Sequence, residues 1–378
     1  MLIGIDGNEA NVKNRVGVNK YAFEIISGIY ELLPKNLDLI VTVYLKNKPL
    51  DDMPKENFQF KYKILSGGKI WILTKLTPHL LFTKQKPDVF FTPNHYIPPF
   101  TLMPTVCAIM DLGYLDSSAQ FKKYDFWQLS LWTAWSIKRS KCILTISNAT
   151  REDIVRRYPN SKNKLVVTYP GVDKYLATDY SISKINKLKN KYSIVNDYIL
   201  YLGTLKPSKN IEGLIKAYNI LVLQYPNIQL VIAGKYGWLY KSIFKLVYEL
   251  GLEEKVIFTD FIKEEDKPAL IKGAKVFVLP SFWEGFGLDI LSAFALEIPV
   301  VASNVGSLPE VVGNTDLLID PHNPESITKA IQKILNINKK DYKDYNELIT
   351  KQNLQLRKFS WDKAAKITFK ILKKATND

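Results

Sequence analysis

The stretch PSFWEGFGLDILSAFALEIPVVAS (280–303) reads as the end of a strand, a glycine-bearing turn, an apolar helix starting at about Leu288, and a second β-branched strand. Strand, glycine turn and helix start together aim backbone N–H groups and the positive helix end at the carboxyl edge of a parallel sheet, where open α/β folds bind their ligands. That geometry suits an anionic or hydroxyl-rich ligand. Glu284, just before the amides of Gly285, Phe286 and Gly287, has two readings. It accepts hydrogen bonds from sugar hydroxyls, or it caps the helix.

Two other segments repeat the pattern. YLGTLKPSKNIEGLIKAY (201–218) is a strand, then Gly203, then Lys206 and Lys209 around Pro207, then an amphipathic helix from about Ile211. A basic strand–loop–helix unit binds phosphate through amides and a point charge, and Lys209, beside the helix start, is the better diphosphate candidate; simple solvation is the competing reading. IGIDGNEANVKNRVGVNKYAFEII (3–26) is a first strand, a loop ending at Gly17 and a helix from about Val18. Its spacing is not GxGxxG, so the dinucleotide fingerprint and nicotinamide chemistry lose support. Gly17 serves equally as a close approach to phosphate or as a helix-entry glycine.

Around these segments, β-branched runs alternate with helical patterns. LIGID (2–6), DLIVTVYL (38–45), VFFTP (89–93), TVCAIMD (105–111), CILTIS (142–147) and KLVVTY (164–169) form one α/β set. After a polar interval, YILYLG (198–203), LVIAG (230–234), VIFTDF (256–261), VFVLPS (276–281) and PVVAS (299–303) form a second. The expected organisation is an acceptor-side Rossmann-like domain over 1–170, a linker over 171–195, a donor-binding Rossmann-like domain over 196–358, and a C-terminal helix over 359–378. That helix, capped at Ser360, packs on either domain as far as its pattern tells.

Composition narrows the function. A chain of 378 residues with 47% hydrophobic and 24% charged residues is long enough for two packed cores and is neither disordered nor fibrous. Two cysteines, Cys107 and Cys142, lie in apolar runs and suit a reducing compartment. His79, His95 and His322 are far apart, without the clustered cysteines a zinc site requires, so no metal and no cofactor is expected. The N-terminal MLIGIDGNEA lacks a basic region followed by an apolar one, and no run of about 18 apolar residues occurs, so a cytoplasmic location is expected. The net charge of +15 draws the chain toward anionic partners, but no nucleic-acid-binding signature accompanies it, and nucleic acid is not expected.

The ordered set GVNKY (17–21), AIMDLGYL (108–115), TISNAT (145–150), YPGVD (169–173), LGTLKPSKNI (202–211), AGKYGW (233–238), PSFWEGFGLDIL (280–291), PVVASNVGSLPEVVG (299–313) and IDPHNPESI (319–327) resembles the family 4 retaining glycosyltransferases, in their mannosyl/rhamnosyltransferase-like branch. The resemblance implies the GT-B fold, α/β, with two Rossmann-like parallel-sheet domains facing across a cleft. It implies transfer of a hexosyl group, without a bound metal, from a GDP-, UDP- or dTDP-sugar to a glycan or lipid-linked acceptor in cell-surface polysaccharide synthesis. Gly17 matches the glycine that approaches the donor diphosphate, Lys209 the diphosphate lysine, and Glu284 the first glutamate of a paired motif. The implied catalytic groups are Asp111, Glu284 and Lys209. The implied donor-binding set is Gly17, Gly203, Lys206, Lys209, Glu284, Gly285, Phe286, Gly287, Leu288 and Ser292.

Three positions depart from the family pattern. Ser292 stands where the second glutamate is expected, Ser208 where an arginine precedes the diphosphate lysine, and Met110 where a histidine precedes Asp111. Methionine cannot bind a hydroxyl as histidine does. A catalytically impaired nucleotide-sugar-binding partner of the same fold is therefore the alternative; an epimerase would need an acid/base constellation that is not found. The segments KIWILTKLTPHLLFTKQK (69–86) and YDFWQLSLWTAWSIKRSK (124–141) mix aromatics with lysines. They fit an anionic membrane surface at its inner face, or core packing with a basic exterior.

Overall fold

The computed structural model describes residues 1–68, 70–115, 123–172, 180–313, 315–337 and 342–376. Lys69, Asp173, the 173–179 part of the expected linker and the last two residues lie outside the described residues. The chain divides into two compact units, Met1–Gly171 with Ser360–Asp378, and Val172–Phe359.

The first unit holds β1 (Leu2–Asp6), α1 (Val18–Leu32), β2 (Ile40–Leu45), β3 (Phe60–Ile64), α2 (Thr77–Phe82), β4 (Val89–Thr92), β5 (Thr105–Ile109), α3 (Lys123–Arg139), β6 (Cys142–Thr145), α4 (Asn148–Arg157) and β7 (Leu165–Val167). Its seven strands are all parallel, in the order β3-β2-β1-β4-β5-β6-β7. Every residue of β4 and β5 is buried, as expected of central parallel strands covered on both faces. Edge strand β3, FKYKI, was not among the strands expected from sequence. Its alternating lysines give it only one apolar anchor, Phe60, which is buried. Burial pushes the Cys107 thiol up to about 12, so this free cysteine behaves as a small core residue.

The second unit holds α5 (Ile182–Lys191), β8 (Asp197–Leu202), α6 (Ile211–Leu221), β9 (Ile228–Ala233), α7 (Lys241–Glu249), β10 (Val256–Asp260), α8 (Lys267–Lys272), β11 (Val276–Leu279), α9 (Leu288–Ala295), β12 (Val300–Ser303), α10 (Leu308–Val312), β13 (Leu318–Ile319), α11 (Pro324–Asn336) and α12 (Tyr342–Leu356). Its six parallel strands run β10-β9-β8-β11-β12-β13. The polar interval expected as linker contains α5, which Ser181 caps by accepting a hydrogen bond from the Lys184 amide. Lys191 pairs with Asp266 at 2.5 Å beside α8.

The chain then returns to the first unit as α13 (Trp361–Lys374). Ser360 accepts the Lys363 amide as its N-cap, and Trp361, Ala364, Ala365, Thr368, Phe369 and Leu372 form its buried stripe. Small residues let it lie close against α1: a Cβ on Gly28 would fall 2.4 Å from the Ala365 Cβ, and one on Gly171 only 2.1 Å from the Trp361 amide nitrogen. Burying Trp361, Phe369 and Leu372 stabilises this seat by about 1.5–3 kcal/mol each.

Both sheets reverse their strand order beside their first strand, between β1 and β4 and between β8 and β11. Ile5 lies opposite Val43 and Phe91, and Leu200 opposite Val231 and Phe277. A crevice opens at such a reversal because the crossovers on either side leave toward opposite faces. In each unit the loops after these strands therefore lie where a ligand would be held.

Candidate functional site

In the second unit, β8 delivers Gly203, Lys206, Ser208 and Lys209, and β11 delivers Ser281 and Glu284 through Leu288. The two loops are laced together. The Phe282 amide donates to the Ser208 carbonyl at 2.9 Å. Asn210, buried and left-handed (φ 52°, ψ 44°), donates through Nδ2 to the carbonyls of Pro280 at 3.0 Å and Pro321 at 2.6 Å. An asparagine tolerates that backbone region, which explains why it stands at the entry to α6.

On this frame Lys209 Nζ and Glu284 Oε1 form an ion pair, and Ser281 Oγ donates to the same carboxylate oxygen at 2.8 Å. Both charged side chains are mostly covered, 17% and 12% exposed, so the pair is better shielded from solvent than an ordinary surface bridge. The Glu284 carbonyl accepts from the Ser307 hydroxyl at 3.0 Å, which holds the turn from behind. Beneath it, burial lifts the Tyr201 hydroxyl well above its usual range, with the Glu284 and Asp289 charges acting in the same direction.

The helix-capping reading of Glu284 does not hold: the N-cap of α9 is Gly287, at φ 86°, a conformation that favours glycine. Gly285 and Phe286 are buried, and the Phe286 ring packs edge-on against Phe359 at 5.4 Å. Leu288 and Ser292 are partly exposed on α9. The structure thus brings Gly203, Lys206, Lys209, Glu284 to Leu288 and Ser292 to one sheet edge. Sequence reading missed Ser281 and Asn210; an asparagine directly before an apolar helix was the one available signal for Asn210.

Gly17 and Asp111 belong to the first unit. Gly17 is the N-cap of α1 at φ 51°, and a Cβ placed there would meet nothing within 4 Å. Its need for glycine is conformational rather than steric. Asp111 follows β5 and accepts the Gly113 amide through Oδ1 at 2.9 Å. Asp6, at the end of β1, is buried and accepts from the Asn8 amide and side chain at 3.0 and 2.7 Å, yet burial still raises it to about 6. Glu9 accepts from Asn19 at 2.6 Å and from Asn94 at 3.4 Å, tying the loop after β1 to the loop after β4. Among the described residues, no group of three or more His, Cys, Asp or Glu side chains is placed to hold a metal ion.

The comparisons with known proteins agree with this architecture. Residues 184–352 match the family of glycosyl transferases, group 1. Over 297 residues the chain is 32% identical to the O-antigen chain mannosyltransferase B of Escherichia coli, covering 76% of this chain and 74% of that protein. It is also 32% identical over 269 residues to the serotype-specific mannosyltransferase WbdA of the same species, covering 69% of this chain but only 32% of that longer one. In fold it is similar to sucrose-phosphate synthase from Thermosynechococcus elongatus, with TM-score 0.76, 19% identity and coverage of 99% and 98%. It is similar too to Anabaena HepE in complex with UDP-glucose, with TM-score 0.73, 18% identity and coverage of 99% of both chains. With the GT-B fold and this extent of identity, the chain belongs to the group 1 glycosyltransferases.

Proposed function

We propose that this glycosyltransferase moves a hexosyl group, mannosyl- or rhamnosyl-type, from a nucleoside-diphosphate sugar to a glycan or lipid-linked acceptor in cell-surface polysaccharide synthesis. The observation that carries the reading is the Lys209–Glu284–Ser281 cluster at the strand-order reversal of the second unit. The mannosyl preference is supported by the names of the Escherichia coli relatives.

In this reading the donor diphosphate displaces Glu284 from Lys209 and takes the lysine as its counter-ion, with Lys206 adding charge. Glu284, released, accepts hydrogen bonds from the hydroxyls of the transferred sugar, and the amides of 285–287 donate to it. Gly17 lets backbone approach the phosphates, and Leu288 and Ser292 line the nucleoside side. The sugar C1–O bond to the diphosphate breaks as the acceptor oxygen bonds to C1 from the same face, and the acceptor proton passes to the departing phosphate oxygen. Configuration is retained, and no protein nucleophile is assigned. Fixed positive charge at the leaving group supplies most of the rate enhancement, since it is in place before charge develops. Asp111 belongs to the acceptor side.

The protein is further read as cytoplasmic and peripheral to an anionic membrane. On α3, Trp127, Leu131 and Trp135 are 60%, 65% and 36% exposed while Thr133, Ser136 and Ile137 are buried, an exposed strip that supports this reading. Phe100 packs on Trp135 at 6.1 Å, and Arg139 lies over the same ring at 5.7 Å. Among the described residues, no helix is long and apolar enough to cross a membrane. Flotation with anionic vesicles, lost on Trp127→Ser with Leu131→Ser, tests the strip.

The function itself is tested by incubating the protein with GDP-, UDP- and dTDP-sugars. Release of nucleoside diphosphate with at least one donor is expected, with stabilisation of roughly 2.7 kcal/mol at about 100 Kd of ligand. Binding without release for every donor supports the impaired-partner alternative. Absence of binding by all of them overturns both.

A further inference from the structure

The loop that joins β9 to α7 carries an aromatic surface that the proposed mechanism does not use. Its sequence, GKYGWLY (234–240), leaves Tyr236, Trp238 and Leu239 41%, 48% and 58% exposed. Beneath them the rings form a ladder. Tyr236 stacks on Tyr240 at 5.1 Å, both meet Phe244 edge-on at 5.4 and 5.9 Å, and Phe244 stacks on Phe258 of β10 at 4.2 Å. Rings braced in this way lose little freedom when a ligand settles on them. Leu239 is left-handed, at φ 58°, a region that is costly for a bulky side chain. The Ser242 hydroxyl holds this turn, 3.0 Å from the Leu239 carbonyl and 2.8 Å from the Glu212 carboxylate.

The fold fixes this loop beside the loop that carries Lys206 and Lys209. β9 neighbours β8 on the side away from β11, so the aromatic loop and the Glu284 loop flank the lysine loop from opposite sides. The Leu205 amide donates to the Lys235 carbonyl at 2.8 Å, and the Gly237 amide donates back to the Leu205 carbonyl at 2.9 Å. The approach is close enough to need glycine: a Cβ on Gly237 would fall 2.5 Å from the Leu205 carbonyl oxygen. The aromatic surface is therefore continuous with the lysine loop. Polar groups rim it, Glu212 at the Leu239 turn and Lys235, whose ammonium lies 5.0 Å over the Phe261 ring.

We infer that Trp238, with Tyr236 and Leu239, is a platform for a chain of linked hexopyranoses, a glycan-binding surface separate from the Lys209–Glu284 cluster. This rests on the reading of the chain as a nucleotide-sugar hexosyltransferase. A hexopyranose carries its hydroxyls around the rim and C–H groups on its faces. The C–H groups pack on the electron-rich face of an aromatic ring, while the hydroxyls stay in water or reach polar groups beside it, here Glu212 and Lys235. A nucleobase is the other flat ligand, but the same reading places the nucleoside along α9, beyond β11. An anionic bilayer fits poorly, because the Glu212 carboxylate stands at the turn that would enter it. Half-exposed rings on a strained, braced loop contribute little to a core, and their exposure marks a surface that meets a ligand.

The test uses the full chain labelled with fluorotryptophan. Of the seven tryptophan signals, that of Trp238 is assigned by its disappearance in Trp238→Phe. The probes are mannohexaose, maltohexaose and mannobiose, titrated by fluorine NMR. Mannohexaose is expected to move the Trp238 signal and to bind more tightly than mannobiose, because a longer chain covers more of the platform. Trp238→Ala is expected to weaken mannohexaose binding roughly tenfold, with Trp238→Phe recovering part of the loss and nucleoside diphosphate affinity unchanged in both. A Trp238 signal unmoved by both hexasaccharides, or a Trp238→Ala variant with wild-type affinity for mannohexaose, overturns the inference. So does a Trp238→Ala variant that loses nucleoside diphosphate affinity, which would put the ring on the nucleobase. Loss of flotation with anionic vesicles at unchanged mannohexaose affinity would make the loop a membrane contact and overturns it too. A thermal-shift screen of the wild type with GDP-, UDP- and dTDP-sugars separates the two levels: no shift with any of them overturns the underlying reading, whatever the oligosaccharides do.

Discussion

The two strand-order reversals are built from the same topology but opposite electrostatics. In the second unit the charged groups, Lys209 and Glu284, already satisfy each other on a frame fixed by Asn210 and Ser307. In the first unit Asp6 is buried and His95 half-buried, and desolvation favours the neutral form of each. A pre-paired ion pair suits a ligand that brings its own charge, because exchanging one anion for another leaves no buried charge alone.

The sharpest break of that comparison is Glu284→Ala. It removes the contacts to the reacting sugar while releasing Lys209, so turnover is expected to fall on the order of a thousandfold while nucleoside diphosphate affinity holds or improves. A parallel loss of both would show that Glu284 serves only to position the lysine.

Next in size is a pH effect confined to the first unit. Asp6 is raised by burial from 3.8 to about 6, so its folded form holds the proton more tightly than its unfolded form. The resulting stability is fully present below pH 3.8 and lost as pH rises through 6, a change of about 3 kcal/mol. Asp6→Asn should therefore gain on the wild type in urea midpoint between pH 4 and pH 7. A difference between the two proteins that does not vary with pH would refute the assignment.

Lys209→Ala should weaken nucleoside diphosphate binding by roughly 10- to 100-fold, the worth of a charged hydrogen bond. Calorimetry giving an unchanged Kd would remove the lysine from the phosphate site. The smallest effect is expected from Ser292→Glu. Its partly exposed position about one turn along α9 accommodates a longer side chain, and turnover should stay equal or rise. A collapse of donor affinity in this variant would mean that the nucleoside packs directly on Ser292.

Much of this was legible beforehand. The helix starts at Val18, Ile211 and Leu288 were marked by a glycine or asparagine before an apolar periodic run, and they stand where the pattern put them. Edge strand β3 was not legible, because FKYKI alternates apolar and lysine residues over a single short stretch. Helix α5 was hidden by its lysines and asparagine, which make its sequence read as solvent-facing loop. Ser281 carries no signal as a residue type, and its role exists only because the turn folds Glu284 back over it. His95 stood out in sequence only as one of three scattered histidines.

Taken alone, the sequence determined the alternation of strands and helices and the three glycine-bearing loops that follow strands, because periodicity and turn chemistry are local properties written every few residues. Tertiary structure alone decided that strand order reverses beside β1 and β8. It also brought Lys209 to Glu284 across a sequence separation of 75, and laid α13 against α1 rather than on the second unit. An amphipathic stripe specifies that a face must be buried but not against what, and a charged side chain does not name its partner. Those choices are made by long-range packing, where close approaches such as Gly28 to Ala365 admit one neighbour and exclude the rest.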